Sequence, residues 1–155
     1  MLADQGTKWW AVRTLSDGPG PIEVIGAWAR LALVYNPGAA FGLSIGSWSR
    51  EVFTGLTLVA LALLWQLYRT ASPAERGRVW ASAFVAGGAV GNLVDRVRSP
   101  RGVVDFLDLG IGDARWPTFN VADVAVSCGA LALAWVLRDA DDAATSAATM
   151  PEERA

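Results

Sequence analysis

Three long apolar runs separated by turn-rich polar stretches set the pattern of this chain. Val52 to Tyr68 carries no charge over seventeen residues, and a helix rising about 1.5 Å per residue just crosses a hydrocarbon core of roughly 30 Å with that length. Arg50 and Glu51 stand before it and Arg69 behind it. Val79 to Val94 and Phe119 to Leu137 are the second and third runs. The link RTASPAERGR between the first two carries Arg69, Arg76 and Arg78 around Pro73, the natural cytoplasmic loop between antiparallel spans, although Arg96, Arg98, Arg101 and Arg115 on the far side leave the charge count undecided.

The remaining stretches read as cap and tail. SDGPGP, residues 16 to 21, is a break, because glycine supplies positive φ and proline fixes φ at neighbouring positions. Ile22 to Val34, with Trp28 and Arg30, fits either short strands or a helix lying in the interface, and periodicity does not separate the two. Asn36–Pro37–Gly38 is a turn signal, Ser99 to Gly102 turns the chain again, and Val103 to Leu107 reads as a short extended segment. Thr118 is the expected N-cap of the last span. The predicted fold is therefore mainly α: a polytopic membrane helix bundle of three spans within residues 1–138, with a small extramembrane β/loop cap at about 14–50 and 97–117. Residues 139–155 are acidic and rich in Ala, Ser and Thr, and are expected to form a disordered tail.

Composition sharpens the membrane reading. Of the 155 residues 53% are hydrophobic and 18% charged, against about 45–50% and about 25% in soluble domains. A net charge of −2 offers no basic face for nucleic acid. The chain has no histidine, which excludes Ser/His and Cys/His nucleophiles and histidine-based metal sites. Cys128, the single cysteine, reads as a small packed residue.

Against this background the stretch from Gly87 to Asp123 is costly. It places five acids and two asparagines beside apolar runs, where each charge costs roughly 2.5–3.5 kcal/mol unless it has a partner or a task. Gly87 and Gly91 form a small-xxx-small pair for close helix packing. Asn92, Asp95 and Arg96 share one helical face, as do Asn120, Asp123 and Ser127. Asp105, flanked by apolar residues, is either exposed on a strand edge or held in a site, while Asp108 and Asp113 are expected to be solvated. Asp4 and Lys8 meet at i, i+4. Two carboxylates brought together share a proton and so supply an acid and a base without metal or histidine; Asp123 is the strongest candidate, with Asp105 or Asp95 as partner. The asparagine amides suit substrate orientation, and Arg96 suits an acid or a lipid phosphate.

The blocks GGAVGNLVDR, GVVDF and FNVAD, with DQGTK and NPGAAFG, resemble in order the motif set of the lipoprotein signal peptidases, signal peptidase II. That family comprises bacterial multi-pass membrane aspartic peptidases that remove signal peptides from diacylglyceryl-modified prolipoproteins, cutting before the lipidated cysteine. The resemblance implies that Asp105 and Asp123 are the catalytic dyad. Asn36, Asn92, Arg96 and Asn120 then line the site with Asp95 in support, and Asp4 and Lys8 are structural. It further implies no cofactor or metal, lipid-modified prolipoprotein substrates, contact with membrane lipid, a monomer, and an inner-membrane location with the site near the extracytoplasmic face. The family has four spans, the first running into the DQGTK block; only Met1 to Ala3 precede that block here, so most of that helix is expected to be lacking. Three alternatives stand beside this reading: a Ser–Lys hydrolase using Lys8, the only lysine; a non-catalytic membrane scaffold; and, as a minor variant, a metal held by Asp105, Asp108 and Asp123.

Overall fold

In the computed structural model the described residues are 1–37 and 46–149. Helix α1 (Leu2–Leu15) leads into an antiparallel pair, β1 (Ile22–Ile25) and β2 (Ala29–Asn36); then follow α2 (Ser49–Arg69), α3 (Arg76–Arg98), the hairpin β3 (Val103–Ile111) and β4 (Ala114–Arg115), and α4 (Val121–Thr149). The stretch whose periodicity fitted either strand or interface helix is therefore two strands. Gly26, at φ 51°, lets the chain reverse there, and Ile22 then pairs with Leu31. The loop signal at Asn36–Pro37–Gly38 runs out of the described residues at Gly38.

Four strands form one sheet in the order β1-β2-β3-β4, and the central pair β2–β3 joins residues far apart in sequence, Val34 to Asp105 and Asn36 to Val103. Under it lies a small core of Ala11, Leu15 and Phe106, with Leu31, Leu33, Leu107 and Val121 packed around it. The sheet thus rests on α1 and on the start of α4.

Two stretches among the described residues are long and apolar enough to cross a membrane, Gly46–Arg69 and Val121–Asp139, and only 6% and 11% of them is buried. Such low burial is not that of a soluble core helix: Leu56, Val59, Leu63 and Trp65 on α2, and Leu131 and Trp135 on α4, all face outward. The third expected span, within α3, is a 23-residue helix whose glycines, Asn92 and charged ends dilute its hydropathy. Helix α4 continues to Thr149, where a disordered tail from residue 139 was expected. Its alanine-rich composition explains this, since alanine has the highest helix propensity and lets a helix run on without an apolar face.

Helices α3 and α4 share the largest helix interface, and glycine makes it possible, although not at both expected positions. A Cβ on Gly88 would lie 2.5 Å from the Ala122 carbonyl oxygen and 2.8 Å from Val126 Cγ2, and one on Gly91 would lie 2.5 Å from Asp4 Oδ2. A Cβ on Gly87 would meet nothing closer than 3.8 Å. The contact pair is therefore Gly88 and Gly91, because Gly88 rather than Gly87 turns toward α4. Gly88→Ala is expected to cost about 1–3 kcal/mol by forcing backbone from backbone, read as a lowered thermal midpoint in detergent micelles. Gly87→Ala should leave that midpoint unchanged or raise it.

Candidate active site

The site forms where the C-terminal end of α3, the N-terminal end of α4 and strand β3 converge. Asp105 stands fifteen residues before Asn120, and chain pairing closes that gap. After β4 the segment 116–119 keeps to the side of β3: Trp116 N–H donates to Leu109 O at 2.8 Å, and Phe119 exchanges hydrogen bonds with Leu107 at 2.8 and 3.1 Å. This delivers Asn120 beside Asp105. It also buries Asp105 between β2 and that segment, 2% exposed, which excludes the strand-edge alternative.

Asn120, completely buried, joins the two aspartates. Its Nδ2 donates to Asp105 Oδ1 at 2.6 Å, to Asn92 Oδ1 at 3.1 Å and to Val104 O at 3.2 Å. Its Oδ1 accepts from Asp123 N–H at 3.0 Å, and its own N–H donates to Asp123 Oδ2 at 3.1 Å. That reciprocal pair is a capping box. Asn120 is thus the N-cap of α4 in place of the expected Thr118, because Val121 is the first helical residue and the side chain with an acceptor must stand immediately before it.

The remaining donors complete the constellation. Asn36 Nδ2 donates to Asp105 Oδ2 at 3.1 Å and Asn92 Nδ2 to Asp123 Oδ1 at 2.8 Å. Both aspartates, Asn36, Asn92 and Arg96 line one cavity of about 500 Å³, together with the apolar side chains of Val103, Phe119, Val124 and Val126. Arg96 Nε is buried with no hydrogen-bond partner among the described residues. Burial pushes the Asp105 carboxyl up to about 6 and the Asp123 charge pushes the same way, opposed by the amides of Asn36 and Asn120 and by Lys8.

Several expectations about the acids need correction. Asp95, a possible partner for Asp123 on spacing alone, is bound elsewhere. It binds Lys8 at 2.9 Å and accepts from Val104 N–H at 3.2 Å, so its role is support. Asp108 is not solvated but buried, clamped by Arg30 at 2.8 Å and Arg115 at 2.9 Å. Burial disfavours its charge, yet the hydrogen bonds and charges of Arg115 and Arg30 win and hold its carboxyl below the usual range. With its oxygens so engaged, Asp108 is not free to join Asp105 and Asp123 on a metal. Asp113 is exposed as expected.

Lys8 and Asp4 form the buried pair at 3.0 Å that their spacing implied. Lys8 also donates to Asn92 Oδ1 at 2.8 Å. An ammonium with an acceptor for each of its three N–H groups makes a poor general base, which weighs against the Ser–Lys alternative. Sequence reasoning missed Gln5, whose Nε2 binds Asp4, Gly91 O and Asp95, although it stands inside the DQGTK block. It also missed Gly102, at φ +94°, where a Cβ would collide with the Asn36 backbone; its signal was the first letter of GVVDF.

Fold and site together are those of a membrane enzyme. One solved structure, titled a bacterial membrane enzyme, superimposes with a TM-score of 0.72 at 28% identity, covering 99% of this chain and 88% of that one; a second with the same title gives 0.71 at 29%. The chain belongs to the signal peptidase II family: the family model Peptidase_A8, Signal peptidase (SPase) II, matches residues 1–138. Lipoprotein signal peptidases from Cupriavidus taiwanensis and Moorella thermoacetica are 43% and 40% identical to it, over 86% and 88% of this chain and 74% and 86% of their own lengths. That of Nitratidesulfovibrio vulgaris is 44% identical over 84% of this chain and 79% of its own.

Proposed function

We propose that this protein is an aspartic endopeptidase of the membrane that removes signal peptides from diacylglyceryl-modified bacterial prolipoproteins, cutting before the lipidated cysteine. The observation that carries the reading is that Asp105 and Asp123 reach one cavity while bound to a single asparagine. Both line one cavity and the Asp123 charge acts on Asp105, and carboxyls coupled in this way share one proton and titrate as a pair. Asp105, pushed up to about 6, holds that proton. Asp123 stands in the first turn of α4, the end where negative charge is favoured, and acts as the partner of Asp105.

In this mechanism Asp123 takes a proton from water as the water oxygen attacks the scissile carbonyl, and Asp105 gives its proton to the carbonyl oxygen. Collapse of the tetrahedral intermediate breaks the C–N bond. The proton on Asp123 goes to the leaving nitrogen and Asp105 recovers its own from the hydroxyl. Arg96 and the Asn36 amide orient the substrate backbone, and the apolar wall from Val103 to Val126 accommodates lipid chains.

Helices α2, α3 and α4 serve as the three spans within a single peptidase domain, residues 1–138. The site lies at the sheet end of these helices, opposite the link at residues 70–75, which Arg69, Arg76 and Arg78 flank. With that link cytoplasmic, the site faces the extracytoplasmic side of the inner membrane. The working unit is a monomer in contact with membrane lipid.

The test is cleavage of a purified prolipoprotein, with and without its diacylglyceryl group, in lipid bilayers. Mass spectrometry should place the new N-terminus at the lipidated cysteine, and the unmodified precursor should stay intact. Since Asp105 must hold its proton, kcat/KM should fall as pH rises, with an apparent midpoint near 6 that belongs to the pair. Cleavage that is independent of lipidation, or a kcat/KM that climbs through this range, would contradict the reading.

A further inference from the structure

Beside the dyad lies a second buried polar cluster that the reaction does not use directly. Lys8 Nζ has three acceptors, Asp4 Oδ2 at 3.0 Å, Asp95 Oδ2 at 2.9 Å and Asn92 Oδ1 at 2.8 Å, one for each N–H of an ammonium. Its side chain is only 4% exposed. Asp4 is further fixed by Ala122 N–H at 3.0 Å, and Gln5 bridges Asp4 and Asp95. Two carboxylates neutralise the ammonium, and the acceptor that takes its third N–H is Asn92, a residue that also touches Asp123.

That contact is one of three that fix which way Asn92 faces. As placed, its Oδ1 accepts from Lys8 and from Asn120 Nδ2, and its Nδ2 donates to Asp123 at 2.8 Å. Turned by 180°, its amide would set N–H against the ammonium, N–H against the Asn120 amide, and oxygen against the Asp123 carboxylate. Each of those three contacts would be repulsive. We propose that Lys8 is a positioning residue which, through the Asn92 amide, keeps a hydrogen-bond donor on Asp123. The proposal rests on the reading of Asp105 and Asp123 as the working acids. The titratable and charged groups around the relay are Asp4 and Lys8 on α1, Asp95 and Arg96 on α3, Asp105 on β3 and Asp123 on α4. Of these, Lys8 is the cation bonded to Asn92.

The experiment is a mutant cycle read by the pH dependence of kcat/KM, with folded fraction followed by thermal unfolding. Lys8→Met is combined with Asp4→Asn, which keeps the net charge of the cluster while removing the ammonium. This pair and Asn92→Ala should each lower kcat/KM about 10- to 100-fold and displace the profile by about one pH unit. All three changes together should do no more than either alone. Losses that multiply, or that follow the folded fraction with an unmoved profile, would overturn the proposal.

A second measurement needs no change at Lys8. Because this is the only lysine, ¹⁵N-lysine labelling reports a single ammonium. Its resonance should follow the titration of the pair in the native protein and cease to do so in Asn92→Ala; a resonance that tracks the pair equally in both would also overturn the relay. If Asp105→Asn and Asp123→Asn themselves cleave normally, it is the underlying dyad reading that fails.

Discussion

Asp105→Asn is expected to reduce cleavage by about 10³- to 10⁴-fold while making the folded protein more stable above pH 6. Both effects follow from one buried carboxyl. The loss arises because an amide cannot pass a proton to the carbonyl oxygen and recover it. The gain follows from linkage. Burial, and then the Asp123 charge, raise the folded Asp105 carboxyl to about 6 from an ordinary 3.8, so the folded state binds the proton more tightly than the unfolded chain. The resulting stabilisation is fully present below about pH 4 and is lost as pH rises through 6.

The native protein therefore carries a penalty of up to about 3 kcal/mol at pH 8 that asparagine, having no charge, does not. Part of the gain is cancelled. Asn36 and Asn120 both donate to Asp105, and an amide offers only one acceptor oxygen. A net gain of about 1–2 kcal/mol at pH 8, shrinking to zero or reversing below pH 4, is the expected result of thermal unfolding at the two pH values. A variant that is less stable at pH 8 would show that Asp105 is a structural acid.

Asn120→Ala is expected to be the most damaging single change for structure and chemistry together. It removes the cap of α4, at about 1–2 kcal/mol. It also strips a donor from Asp105, Asn92 and the Val104 carbonyl in a fully buried place, where an unsatisfied group costs about 1–3 kcal/mol. Together these come to roughly 2–5 kcal/mol, and kcat should fall about 10²- to 10³-fold in whatever folds. Asn120→Ser separates the two roles. Serine caps a helix as well as asparagine does but does not extend to Asp105. Most of the capping contribution should return in the thermal midpoint while kcat stays low. Recovery of both would show that Asn120 acts only as a cap.

The elements and the candidate residues were largely legible in the sequence, for local reasons. An uncharged run of seventeen residues such as Val52 to Tyr68 has little choice but a long apolar helix, and acids set among apolar residues announce a site because their cost must be met. Motif blocks singled out Asp105 and Asp123 before any distance was known. The errors have a common cause. Asp108 looked solvated because its loop is rich in glycine, yet two arginines, 78 residues before it and 7 after it, close on it. Gly87 and Gly88 are indistinguishable in sequence, and only the rotation of α3 against α4 selects Gly88. Spacing alone left Asp95 and Asp105 as equal partners for Asp123; the motif blocks favoured Asp105, and in the structure Lys8 holds Asp95.

By itself, then, the sequence determined the membrane helices, the polar blocks and the absence of histidine chemistry, because these depend on residue type and on spacing within one turn or one strand. The tertiary structure alone decided which acid faces which, since that rests on contacts across β2–β3, α3–α4 and the segment beside β3. It brought Asp105 and Asp123 to the two ends of one asparagine, a relation set by chain pairing over many residues and written in no local pattern.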